Sequence, residues 1–182
     1  MCNQMTKMTK MTKTMKIFTI LFCLTNLQSF ACYCIGHRTV KEEIKHSNLV
    51  ITGTIINKEN IVLIDSINLK MFPNYPEISK KTITRYDFVV DEIYKGKITK
   101  DTIQIYTGTG NGDCGITFEM YQKYIVYGEN ETYFGQINNN FIFPKGVNIL
   151  WTYICLRTDI YTEEEILEIN KFAKKKAAHY RR

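Results

Sequence analysis

The chain has 182 residues, of which 45% are hydrophobic, 13% aromatic and 23% charged. That length suits one domain with short appendages, and the composition excludes a disordered polyelectrolyte or a multi-span membrane protein. The formal charge of +6 is concentrated at the start, where Lys7, Lys10, Lys13 and Lys16 stand without an acid before residue 32. Without those four lysines the charge is +2, too small an excess to argue for nucleic acid as a partner.

The lysines lead into the apolar run Ile17 to Leu27 and then Ser29-Phe30-Ala31. This order predicts a secretory signal over residues 1–31, with small residues at 29 and 31 where signal peptidase requires them. The run is shorter than the roughly 20 residues that cross a bilayer, so no stable membrane span is expected. The repeat from Met5-Thr6-Lys7 to Met11-Thr12-Lys13 reads as a low-complexity extension, and Met15 alone would open an ordinary signal peptide. Cleavage after Ala31 makes Cys32 the first residue of a secreted domain over 32–178, followed by a tail at 179–182. The mature chain then holds Cys32, Cys34, Cys114 and Cys155. Four cysteines in an exported protein predict two disulfides with three possible connectivities, of which Cys32 with Cys34 is the most strained. A four-thiolate zinc site is the competing reading, but the chain lacks a Cys-x-x-Cys pair.

Leu49 to Ile56 is rich in β-branched residues and reads as a strand, with Gly53 marking a bulge or bend. Residues 59–81 read as a long connection carrying Phe72 and Tyr75, either a binding loop or an extended hairpin. Thr84 to Tyr94 alternates until the apolar parity slips, which places a bulge near Asp91 and Glu92. Lys95-Gly96-Lys97 turns the chain into a strand at Thr102 to Thr107. Gly108-Thr109-Gly110-Asn111-Gly112 lacks the lysine and helix of a phosphate loop and reads as a hairpin connection. Further strands are expected at Tyr124 to Tyr127, Phe141 to Phe143 and Ile149 to Cys155, and Asn130-Glu131-Thr132 is a glycosylation sequon in a surface turn. Five or six short strands with glycine-rich turns predict a mainly β fold, a small barrel or sandwich. A C-terminal helix follows. Thr162 and Glu165 form a capping box, and Ile166, Ile169, Ala173 and Ala177 share one face. Packing on the barrel is the expected role of that face, with a membrane surface as the alternative.

No nucleophile with its base and no metal-ligand spacing stands out. His37, His46 and His179 are isolated, and no pair of carboxylates is marked as an acid and base. An enzyme is not expected, nor a cofactor.

The mature start Cys32-Tyr33-Cys34 resembles that of the tissue inhibitors of metalloproteinases, within the netrin-like group. The resemblance continues through Asn48 to Thr54, Tyr86 to Gly96, Asp113-Cys114-Gly115, Tyr124 to Gly128 and Thr152 to Cys155, and spans nearly all of residues 32–175. It implies a five- to six-stranded OB-fold barrel with a C-terminal helix, and disulfides Cys32–Cys114 and Cys34–Cys155. It further implies inhibition of a zinc metalloprotease. The free amine and carbonyl oxygen of Cys32 would chelate the target's catalytic zinc, displacing the water at its open position. An α-amino group with an ordinary pKa of about 7.7–8.0 is available for this near neutral pH. Tyr33 would enter the primary specificity pocket, and Cys34, Asp113, Cys114 and Gly115 would contact the protease alongside. Three features depart from the family pattern. Tyr33 replaces a small hydroxyl residue, a third disulfide has no cysteines, and the family's cysteine-rich C-terminal domain is missing. The alternatives are a netrin-like module that binds another protein or a glycan, and a surface lipoprotein acylated on Cys32.

Overall fold

The computed structural model describes residues 34, 36, 38–64, 80–132 and 141–180, with side chains described as far as Ala173. The first element is a helix, α1 (Val40–His46), capped by Thr39. The Thr39 hydroxyl accepts from the Glu42 N–H, and the Glu42 carboxylate accepts from the Thr39 N–H at 2.9 Å. This reciprocal pair satisfies donors that the first helical turn leaves open. Val40 and Ile44 turn inward.

Six strands follow: β1 (Leu49–Ile64), β2 (Lys80–Lys95), β3 (Thr102–Thr107), β4 (Lys123–Gly128), β5 (Ile149–Trp151) and β6 (Asp159–Ile160). They form one mixed sheet in the order β5-β3-β2-β1-β4-β6. Only β3 and β5 run parallel. Beyond this ladder, Glu129, directly after β4, and Trp151 of β5 exchange both backbone hydrogen bonds at 2.8 Å. A second helix, α2 (Glu163–Tyr180), closes the chain.

The β1–β2 register slips where the sequence predicts, skipping Asp91 opposite Thr52 and Gly53. Gly53 is required there. A Cβ would lie 2.0 Å from the Val89 carbonyl oxygen and 2.6 Å from the Phe88 ring.

Three apolar clusters cover the two sides of the sheet. One side gathers Ile51, Ile55, Phe88, Ile105, Val126 and Leu150, contributed by β1 through β5, into a single buried cluster. On the other side, Val50, Ile125 and Tyr127 pack under α1 and α2, where Ile166, Ile169 and Ala173 are buried as the periodicity predicts. The third cluster joins Ile83, Tyr106 and Trp151 to Phe141 and Phe143.

Several boundaries differ from expectation. In the stretch 59–81, β1 continues to Ile64 and β2 begins at Lys80, so its two described ends are paired strand, as the hairpin alternative has it. Phe72 and Tyr75 lie outside the described residues. Phe141 to Phe143 is not a strand. Its rings pack on Trp151 while its backbone joins no ladder. Strand β5 stops at Trp151 rather than Cys155, and the chain turns at Ile154 and Cys155. The glycine segment after Thr107 does not turn a hairpin, since β2 and β1 lie between β3 and β4. Among the described residues, no helix is long and apolar enough to cross a membrane.

Candidate functional site

Cys32 and Tyr33 lie outside the described residues; the described part of this segment begins at Cys34. Cys34 is joined to Cys155 by a disulfide with Cα atoms 5.3 Å apart, linking positions 121 residues distant in sequence. The pairing excludes Cys32–Cys34. A tight turn follows, with the Gly36 N–H donating to the Cys34 carbonyl and Gly36 at φ +69°.

Behind that turn, Arg157 fixes the same segment a second time. One guanidinium nitrogen donates to the Arg38 carbonyl at 3.0 Å, and two others grip the Glu165 carboxylate of α2 at 3.0 and 2.6 Å. The Tyr127 hydroxyl donates to the same carboxylate at 2.8 Å. The hydrogen bonds to Glu165 hold Arg157 above its ordinary pKa, and burial followed by the Glu165 contact pushes the Tyr127 phenol well up. A planar guanidinium with a bidentate carboxylate makes a stiff joint. The Arg38 side chain also reaches the fully buried Glu43 of α1 at 3.4 Å. Cys34 is therefore bound covalently to the segment after β5, and the Arg38 carbonyl is hydrogen-bonded to the joint between that segment and α2.

The second predicted contact edge, Asp113-Cys114-Gly115, lies beside this anchored start. The Ile154 N–H, next to Cys155, donates to the Cys114 carbonyl at 3.1 Å. Cys114 is itself disulfide-bonded, and the pairing expected for it, with Cys32, falls outside the described residues. Asp113 organises the loop around it. Its carboxylate accepts from the backbone N–H of Thr109 (2.6 Å), Gly110 (2.9 Å) and Gly115 (3.1 Å), and from the Thr109 hydroxyl (3.0 Å). Burial opposes the charge, but these donors outweigh it and hold the carboxyl below its ordinary range. The carboxylate is thus bound by its own loop.

That tight fold explains the glycines. A Cβ on Gly108 would meet the Asp113 carboxylate at 2.5 Å, and one on Gly115 would meet the Gly108 backbone at 2.3 Å. Cys114 takes a left-handed φ of +59°, a conformation that costs a residue with a side chain about 1 kcal/mol or more. From Gly115 the chain crosses the end of the sheet. The Phe118 ring meets Tyr86 and Tyr124 edge-on at 4.9 and 4.8 Å. Their hydroxyls accept the Phe118 and Glu119 N–H groups.

Sequence reasoning named the cysteines and the Asp113 edge, and the structure brings Cys34, Cys155 and Cys114 together. Sequence reasoning missed Arg157 and Arg38, and it assigned Glu165 to a capping box with Thr162, whereas the Glu165 carboxylate binds Arg157 and Tyr127. Arg157 and Glu165 stand eight residues apart on either side of β6, and Arg38 is remote from both, so no spacing rule would select them.

No protein-family model and no curated protein matches the chain.

Proposed function

We propose that the protein is a secreted inhibitor of zinc metalloproteases, acting through the amine and carbonyl oxygen of Cys32 at the mature N-terminus. The observation that carries this reading is the double anchoring of the chain start. Cys34, two residues after the expected terminus, is tied to Cys155, and Arg157 holds the Arg38 carbonyl. A free terminus normally frays, and a chelating head must not. Fixing it before binding removes the ordering cost that a flexible ligand would incur.

The finer architecture belongs to the same proposal. A rolled, OB-type barrel accounts for one apolar cluster drawn from β1 to β5, for the crossover through Phe118, and for the Glu129–Trp151 bridge that links the β4 and β5 edges. A second disulfide, Cys32–Cys114, accounts for the oxidised state of Cys114 and would place Cys32 beside the Asp113 edge. Cys32 would then use only main-chain atoms on the zinc, Tyr33 would enter the specificity pocket, and Cys34 with Asp113 to Gly115 would line the cleft. The tyrosine selects proteases with a deep primary pocket.

The test compares the exported chain with one carrying a single alanine before Cys32, assayed against a panel of zinc metalloproteases with intact mass as a check on disulfide content. The expected result is inhibition by the first and none by the second at equal melting temperature. Inhibition that survives the added alanine refutes chelation by Cys32. Absence of inhibition by the unextended chain across the panel favours the netrin-like binding module or, with a lipid found on Cys32, the lipoprotein.

A further inference from the structure

Among the described residues, Glu43 of α1 is the charged side chain buried most completely, at 0% exposure. Its carboxylate accepts from one guanidinium nitrogen of Arg38, 3.4 Å from each oxygen, and from the Ser47 hydroxyl at 3.3 Å. Ser47 is itself buried, whereas the Arg38 side chain is 39% exposed. A second acid stands close by. Burial raises the Glu129 carboxyl above its ordinary range, and the charges of His46 and Arg38 pull it back.

A pair of this kind adds little to stability. Burial strips both ions of water, contacts of 3.4 Å are long for charge-assisted hydrogen bonds, and apolar side chains of similar volume fill such a site equally well or better. What the pair does fix is geometry. Helix α1 is a braced base, capped by Thr39, closed at its far end by Lys95 and packed through Val40 and Ile44. Arg38 stands directly before the cap. Arg157 holds its carbonyl and Glu43 holds its guanidinium, so the main chain and the side chain of one residue are tied to different elements.

We propose that Glu43 is a positioning residue for the chelating head. Through Arg38 it sets the direction in which the chain runs back to Cys34, and on the inhibitory reading above, on which this inference rests, it thereby holds the Cys32 amine ready for the target's zinc. It acts through Arg38 and not by contact with the metal.

The test uses two variants of the exported chain. Glu43→Met/Ser47→Ala removes the charge together with the hydroxyl that would lose its acceptor, and Glu43→Gln keeps the shape and the acceptor for Ser47. The readouts are the melting temperature, backbone 15N order parameters, and inhibition of a metalloprotease that the wild type inhibits. In the double variant the order parameter of the Gly36 amide, which donates to the Cys34 carbonyl, should fall from about 0.85 to below about 0.6. The order parameters of β1 to β4 and the melting temperature should hold, and the inhibition constant should rise about tenfold as the head loses its preorganisation. Glu43→Gln should show the same changes to a smaller extent. An unaltered Gly36 order parameter in both variants would overturn the proposal. So would a loss of order spread through the sheet with a lower melting temperature, which marks a merely structural role, or full inhibition by a variant whose Gly36 has become mobile. A wild type that inhibits no protease refutes the inhibitory reading instead, and the order parameters then decide by themselves whether Glu43 orders the chain start.

Discussion

At the scale of single residues, two positions carry more of the fold than their size suggests. Gly53 lets β1 and β2 close on one another at a bulge, and the nearest obstacle to a side chain there is backbone, the Val89 carbonyl. Gly53→Ala should therefore destabilise the protein by about 2 kcal/mol or more through overpacking, read as a lower urea midpoint. Asp113 is the other. Its carboxylate collects three backbone N–H groups and a hydroxyl, and hydrogen bonds to a charged acceptor contribute about 1.5–3 kcal/mol. Its folded pKa is lowered from the ordinary 3.8, so this stabilisation is complete above the unfolded-state value and is lost as pH falls through the folded one. Asp113→Asn should be less stable than wild type at pH 7, and the gap should narrow as the pH is lowered toward 2. Thermal melts at both pH values check it. A constant gap would mean that the charge is not what holds the loop.

At the scale of elements, what was legible in the sequence followed local pattern. β-Branched richness marked the inner part of β1 and alternation that of β2, the parity slip marked the bulge at Asp91, and the spacing of Ile166, Ile169 and Ala173 marked the buried face of α2. The outer half of β1 was not legible, because Asn57 to Asn60 are exposed and solvent on both faces leaves no alternation to read. Phe141 to Phe143 misled in the opposite sense, since aromatic side chains can cover a sheet without joining it. Helix α1 left a usable sign, Thr39 followed by Glu42, which was overlooked in a segment only seven residues long. Its far end depends on a tertiary contact: the Lys95 ammonium of β2 donates to the carbonyls of Ile44, Lys45 and Ser47. Such groups at a helix C-terminus otherwise lack partners. Lys95→Met keeps the apolar stem and removes the donors, so it should cost about 1–3 kcal/mol and accelerate amide exchange in α1 before it does so in the strands. Uniform acceleration would contradict a local capping role.

At the scale of the whole molecule, the site depends on long-range connections. The crossover from β3 to β4, the disulfide over 121 residues and the Arg157–Arg38 hydrogen bond bring together segments that are distant in sequence. Local patterns do not encode such meetings. The cysteines were visible in advance through their number, which left three connectivities open, and only the family resemblance implied the Cys34–Cys155 pairing and the Asp113 edge. On the chain-entropy account, closing so long a loop contributes about 5 kcal/mol. Replacing both Cys34 and Cys155 with alanine should lower the melting temperature by many degrees and release the chain start, which limited proteolysis near residue 34 would detect. The central claim is that the Cys32 amine becomes a ligand of the target's metal. Its most direct test is the visible spectrum of an inhibited metalloprotease whose zinc has been replaced by cobalt(II). The account predicts that the exported chain changes the d–d bands as nitrogen replaces water on the metal, and that the chain with one added alanine leaves them unaltered. A spectrum that stays the same on binding, or that changes equally with both chains, would contradict it.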